Sequence, residues 1–249
     1  MMLRDKVVVV TAAAGTGIGS AAARRCLEEG AKVVISDHHA RRLEESYLDL
    51  KAAFADRVHA IMCDVTSTEQ VDSLIAESYV HFGRIDVMIN NAGLGGTRSV
   101  LEMTDDEWAR VLDVTLTATF RCTRAALRHM VSRPGGGAIV NNASVLGWRA
   151  QAGQAHYAAA KAGVMALTRC SAMDVAAHGI RVNAVAPSLA MHPYLEKVTD
   201  PARLEELAAR EAFGRPATPA EVANVMVFLA SDYSSYMTGE VVSVSSQHP

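Results

Sequence analysis

The chain has 249 residues, half of them hydrophobic, with 24 Lys and Arg against 27 Asp and Glu, for a net charge of −3. A chain of this length can bury roughly 70–75% of the surface it exposes when unfolded, so it needs no staples. Scattered, near-balanced charge gives no basis for nucleic-acid binding, and no apolar run approaches the ~20 residues that span a bilayer.

Met1 to Lys6 lead straight into Val7-Val8-Val9-Val10, too short for a signal peptide and without a processing site. The sequence instead predicts a first strand over Lys6–Thr11. Further Val/Ile-rich runs predict strands at Lys32–Ser36, Val58–Cys63, Asp86–Asn90, Ala138–Asn142, Arg181–Ala186 and Val241–Val244. Their continuous apolar character suits a parallel sheet covered on both faces, whereas strict alternation suits a half-exposed one. Helical patterns fill the intervals. Ser67–Gln70 and Thr104–Glu107 read as capping boxes, and Thr218-Pro219-Ala220-Glu221 adds proline at the first helical position. Gly30, Gly83 and Gly179 close helical stretches as left-handed caps do. The rhythm predicts one α/β domain over 1–249 with a doubly wound, seven-stranded parallel sheet. It breaks between 187 and 217, where the only clear helix is Pro201 to Glu211. An insertion after the C-terminal end of a strand predicts a substrate lid.

The turn after the first strand, Thr11 to Gly19, carries Gly15, Thr16, Gly17, Ile18 and Gly19. Glycines there let the backbone turn sharply and approach a pyrophosphate, whose charge meets free N–H groups and a helix dipole. Asp37, some twenty residues on, is placed to accept ribose hydroxyls. Its charge would repel a 2′-phosphate, which predicts NAD(H). Arg41 and Arg42 lie close enough to keep NADP(H) open. Asp64 and Val65 end the third strand where an adenine amino group can be met, and Asn90-Asn91-Ala92-Gly93 ends the fourth with room for a cofactor. Tyr157 and Lys161, four residues apart, share one helical face, with Ser144 thirteen residues before the tyrosine. No G-x-S-x-G surrounds Ser144, which argues against a hydrolase nucleophile. The cysteines (Cys26, Cys63, Cys122, Cys170) form no CxxC and no Cys/His cluster, and no third ligand joins His38-His39 or His156. The expectation is a reduced, cytoplasmic setting and no metal.

With these residues together the chain resembles the short-chain dehydrogenase/reductase family over essentially its whole length. The glycine turn, Asn90–Gly93, the Ser144/Tyr157/Lys161 set, Arg181-Val-Asn-Ala-Val-Ala-Pro187 and Phe213-Gly-Arg-Pro216 through Thr238-Gly239 carry the likeness. In spacing it is similar to 3-oxoacyl carrier-protein reductases. Asn141 to Gln151 and Ser243 to Gln247 look like actinobacterial reductases of steroid-ring breakdown, which act on bicyclic, indane-type acyl-CoAs. The resemblance implies a Rossmann fold, hydride transfer between NAD(P)(H) and a secondary alcohol or ketone, and cofactor contacts reaching Tyr157, Lys161 and Pro187. It also implies a homotetramer or homodimer built on the helices holding Trp108–Val131 and Gln154–Ala177.

In that chemistry Ser144 orients the substrate oxygen, Tyr157 exchanges its proton, and Lys161 draws the phenol's pKa downward. Leu94, Trp148, Arg149, Gln151 and His192 are candidate substrate contacts, with Gly95, Gly96, Ser188, Met191 and Tyr194 nearby. Arg98, Arg149 and Lys197 can meet a carboxylate or coenzyme A phosphates. Four departures from the family pattern stand out: a turn one residue longer with Ala12 where glycine is expected, Thr115 in place of a relay asparagine, Ser188 for glycine, and His192 for threonine. Thr115 is the candidate fourth catalytic residue: either its hydroxyl carries a relay water or the relay runs differently. The competing expectations are a fatty-acid-type 3-oxoacyl-thioester reductase, a dehydratase or epimerase with bound cofactor, and a non-catalytic redox sensor or scaffold.

Overall fold

The computed structural model describes residues 1–191, 195 and 200–246. Seven strands form one sheet in the order β3-β2-β1-β4-β5-β6-β7, every neighbouring pair parallel. They are β1 (Val7–Thr11), β2 (Lys32–Asp37), β3 (Val58–Met62), β4 (Val87–Asn90), β5 (Gly137–Asn142), β6 (Ile180–Pro187) and β7 (Val241–Val244), each within one residue of its predicted ends. Successive side chains point to opposite faces, and both faces are covered. Val8, Val10, Val33 and Ile35 pack with α1 (Ile18–Glu28), α2 (Ala40–Phe54) and α8 (Pro219–Ala230). Val9, Val34 and Ile139 pack with α3 (Thr68–Phe82), α5 (Ala118–Val131) and α6 (Ala155–Val175). Two-sided burial is why these strands read as unbroken apolar runs. Each such Val or Ile stabilises the fold by about 1.5–3 kcal/mol on leaving water.

The capping boxes expected from the sequence form with one exception. Thr104 and Glu107 at the start of α4 (Asp105–Leu112), and Thr218 and Glu221 at α8, form reciprocal boxes. Ser67 accepts from Gln70 N–H, but the Gln70 side chain accepts from Asp64 N–H at 2.8 Å, so only half of the expected box forms. Gly83 and Gly179 adopt the left-handed conformation expected of them.

The strand order reverses between β1 and β4, which opens a crevice at their C-terminal ends. The glycine turn, Asp37, Asp64, Asn91 and Pro187 all lie along this C-terminal edge of the sheet. After β6 the insertion is pinned at its base: Met191 N–H donates to Ala217 O at 2.9 Å and Ala217 N–H to Leu189 O at 2.8 Å. Its helix, α7 (Pro201–Ala209), stops short of Glu211, which is buried and accepts from the Ser246 hydroxyl at 2.8 Å. His192, Tyr194 and Lys197 lie outside the described residues. No helix among the described residues is long and apolar enough to cross a membrane.

Candidate active site

The glycine turn sits at the mouth of the crevice. Gly17 caps α1 without a side-chain hydrogen bond, and no acidic residue occupies the first turn, so the helix's leading N–H groups face no competing anion of their own. A Cβ added at Gly15 or Gly17 would meet nothing within 4 Å. These features fit a diphosphate carried on backbone N–H groups. Gly19 serves close packing instead, since a Cβ there would lie 2.3 Å from Ala12 O and 2.4 Å from Asn91 Nδ2. The lengthened turn is tied down by Gly15 N–H donating to Ser46 Oγ on α2 at 2.9 Å. Ala12, where glycine was expected, adopts φ +49°, a left-handed conformation disfavoured for alanine.

Asp37 ends β2 almost fully buried, accepting from His39 N–H at 3.0 Å. The His38 ring nitrogen lies 3.5 Å from it and the Arg42 guanidinium 3.8 Å, whereas Arg41 pairs with Glu45. The Asp64 carboxylate holds a tight turn through Thr66 N–H at 2.9 Å and its hydroxyl at 2.7 Å, and these bonds lower its pKa. Thr11, Val65, Asn90 and Ala92 line one small cavity, which joins the ends of β1, β3 and β4.

Beyond β4 the segment from Gly93 to Arg98 runs as a strap along the start of α6. A Cβ added at Gly93 would lie 3.4 Å from Lys161 Nζ, and one at Gly95 would lie 3.6 Å from the Tyr157 ring. Gln154 Nε2 donates to Gly96 O at 2.8 Å, and Arg98 N–H to Gly153 O at 2.9 Å. The other anchor is Thr115, fully buried in the π-helical turn Asp113–Thr117 between α4 and α5. Its hydroxyl donates to Leu94 O and accepts from Leu94 N–H, both at 3.0 Å. Neither Gln154 nor this double clasp was legible in the sequence.

Ser144, Tyr157 and Lys161 converge behind the strap. Ser144 follows β5 and hydrogen-bonds the Tyr157 phenol, while its oxygen accepts from Leu146 N–H at 3.2 Å. Lys161 Nζ lies 5.5 Å from the Tyr157 ring centre and donates to Asn142 O at 2.5 Å. The expectation that Lys161 pulls the tyrosine downward is corrected here. Burial raises Tyr157 to about 12, and the lowering influence comes from the Ser144 hydrogen bond. Burial likewise lowers Lys161 to about 8. The ammonium is turned towards a backbone carbonyl, and desolvation of the phenol outweighs its field.

Pro187 is the last residue of β6. Of the substrate candidates, Leu94 is part-buried on the strap, and Trp148, Arg149 and Gln151 lie on the turn between Ser144 and α6. Trp148 is 44% exposed. Arg98 pairs with Glu107 at 3.0 Å, which weakens its case as a phosphate contact.

This arrangement can be set beside known proteins. The sequence model described as enoyl-(acyl carrier protein) reductase matches residues 12–246. A short-chain dehydrogenase from Mycobacterium smegmatis, solved by crystallography, superposes with a TM-score of 0.89 at 60% identity, covering 100% of this chain and 95% of that one. The chain belongs to the short-chain dehydrogenase/reductase family. With that family it is an oxidoreductase, and the family binds NAD(P). The (5R,7aS)-5-hydroxy-7a-methyl-1-oxo-2,3,5,6,7,7a-hexahydro-1H-indene-carboxyl-CoA reductase of Mycobacterium tuberculosis is 65% identical over 248 residues, 100% of this chain and 95% of that protein. The 3-oxoacyl-(acyl-carrier-protein) reductase of Thermotoga maritima is 37% identical over 244 residues, 98% of each chain.

Proposed function

We propose that this short-chain dehydrogenase/reductase interconverts a ketone and a secondary alcohol on an apolar, ring-bearing acyl-CoA, with NAD(H) preferred over NADP(H). The observation that carries the reading is the convergence of Ser144, Tyr157 and Lys161 behind a glycine strap at the C-terminal ends of β4 and β5. The glycine turn, Asp37, Asp64, Val65, Asn91 to Gly93, Lys161 and Pro187 would hold the dinucleotide, which supplies or takes up the hydride when bound. Ser144 holds the substrate oxygen against the phenol. Tyr157, protonated well above neutrality, gives its proton to that oxygen as the carbonyl carbon is reduced. Lys161 positions the phenol's surroundings and supplies the nearest positive charge.

The relative acting on a bicyclic indene-carboxyl-CoA supports the substrate class. Half-exposed Trp148 and part-buried Leu94, on the segments that flank Tyr157, support an apolar substrate body. The Thermotoga relative favours a second reading, reduction of linear 3-oxoacyl thioesters. The candidate lid over 187–217 would cover the substrate. The Asp37 carboxylate, more buried than the cations around it, supports NAD(H). Assembly as a homotetramer or homodimer is supported by exposed Trp108, Phe120 and Met173 on the helices expected to pair. A cytoplasmic setting is supported by four unpaired cysteines.

The test follows absorbance at 340 nm with NADH or NADPH and a panel of bicyclic keto-acyl-CoAs and linear 3-oxoacyl-CoAs. Wild type is expected to turn over bicyclic ketones with NADH, and Tyr157→Phe to lose about 10³-fold or more in turnover. Equal turnover by Tyr157→Phe would overturn the tyrosine as proton donor, and no turnover of any ketone or alcohol by wild type would overturn the assignment in favour of a nucleotide-binding sensor.

A further inference from the structure

We infer that Asn142 binds the cofactor directly: its side-chain Oδ1 is the acceptor for a hydroxyl of the ribose on the nicotinamide side of the dinucleotide. The inference rests on the reading that the crevice takes a nicotinamide dinucleotide, and it adds a residue that neither the glycine turn nor the Ser/Tyr/Lys set identifies.

Four asparagines end β4 and β5, and because side chains alternate faces they fall into two rows. In the first row Asn90 Nδ2 donates to Asn141 Oδ1 at 2.8 Å and Thr123 Oγ1 at 2.9 Å, and Asn141 Nδ2 donates to Thr168 Oγ1 at 2.9 Å. That row is buried and ties the sheet to α5 and α6. The second row faces the glycine turn. Asn91 Nδ2 donates to Thr11 O at 3.2 Å and Ala12 O at 3.1 Å, and Asn142 Nδ2 donates to Asn91 Oδ1 at 3.0 Å.

This second row fixes its own amide orientations. The two carbonyls of Thr11 and Ala12 can only accept, so Asn91 must present its Nδ2 to them and its Oδ1 to Asn142. Asn142 must then spend its Nδ2 on Asn91, which leaves its Oδ1 facing elsewhere. That Oδ1 is buried with no protein donor among the described residues. Buried polar atoms are normally paired. Asn90 Oδ1 in the first row also lacks a donor, but Asn90 is sealed in the core, whereas Asn142 is a part-buried residue at the C-terminal edge of the sheet, where a ligand can bring one. Lys161 does not fill the role: its ammonium donates to the backbone carbonyl of the same residue, and no bond from it reaches Oδ1.

The missing donor belongs to the nicotinamide half of the ligand for two reasons. Asp37 and Asp64, the adenosine-side candidates, end β2 and β3, while Asn142 ends β5, on the far side of the reversal point. A diphosphate offers acceptors only at neutral pH. On that half, the donors are ribose hydroxyls and a carboxamide, and Asn142 stands beside Lys161, on the strand that leads into Ser144.

Three ligands separate the possibilities by titration calorimetry, with no turnover required: ADP, which lacks the second ribose; ADP-ribose, which has it; and NADH. Asn142→Leu, close to isosteric, is expected to bind ADP within twofold of wild type and to bind ADP-ribose and NADH roughly tenfold more weakly. Asn142→Ala is expected to behave alike, and its smaller side chain guards against a clash disrupting the site. Equal weakening of all three ligands would mean that Asn142 acts only through Asn91 on the glycine turn, and would overturn the inference. Weakening of NADH alone would point to the carboxamide and also overturn it, as would no change at all. Wild type that binds none of the three would overturn the dinucleotide reading itself.

Discussion

Replacing Lys161 by Met removes a buried cation and keeps a straight apolar stem of similar length. Lys161 is 3% exposed, and burial lowers its pKa from 10.5 to about 8. A depressed lysine pKa means that the native state holds the proton less tightly than the unfolded chain does. Between the two values the unfolded state binds more protons, so wild-type stability rises with pH through the window from about 8 to 10.5. Below that window the wild type carries the full penalty of a buried ammonium. Lys161→Met has no such contribution, and the lost bond to Asn142 O is close to a constant offset. The stability difference, wild type minus variant, is therefore expected to rise by about 2 kcal/mol between pH about 7 and about 10. Urea unfolding followed by tryptophan fluorescence, at constant ionic strength, gives the difference directly. A difference flat to about 0.5 kcal/mol across that range would show that desolvation does not govern this lysine. The variant is also expected to lose turnover, a case of function retained at a cost in stability.

Other substitutions test the supports around the site. Thr115→Val removes both bonds to Leu94 and is expected to cost about 1–2 kcal/mol and raise substrate KM while leaving the shape of the kcat–pH profile intact. A changed profile would return the hydroxyl to the proton path. Ala12→Gly relieves a left-handed alanine at the expense of a freer unfolded chain, for an expected net gain of about 0.5 kcal/mol in urea unfolding. A lower midpoint would show that the alanine is not strained. Gly19→Ala places a Cβ against Ala12 O and Asn91 Nδ2, and calorimetry is expected to show weakened ADP binding from a displaced turn. Unchanged ADP affinity would separate turn packing from phosphate binding. Asp37→Ser is expected to improve kcat/KM with NADPH relative to NADH by tenfold or more, and an unchanged ratio would remove Asp37 from cofactor choice.

Sequence reading reached the sheet because two-sided burial leaves a local mark: Val7 to Val10 and Val33 to Ile35 are apolar without interruption. Tyr157 and Lys161 were legible because helical spacing alone puts them on one face. The supports were not. Gly15 and Ser46 are 31 residues apart, Asn91 and Ala12 are 79, and Asn142 and Asn91 are 51, so no local period announces their bonds. The π turn at Thr115 leaves no compositional trace, because its extra residue per turn is a backbone property. The tyrosine's acidity was misjudged for a related reason. Charge proximity can be read along a helix, but the depth at which a phenol ends up is set by everything packed around it.

The pin joining Ala190 and Ala217 makes the intervening chain a cassette with fixed sockets. A chimera carrying a relative's segment between those two alanines, with the buried Glu211 kept, is expected to change which ketones are accepted before it changes how they are reduced.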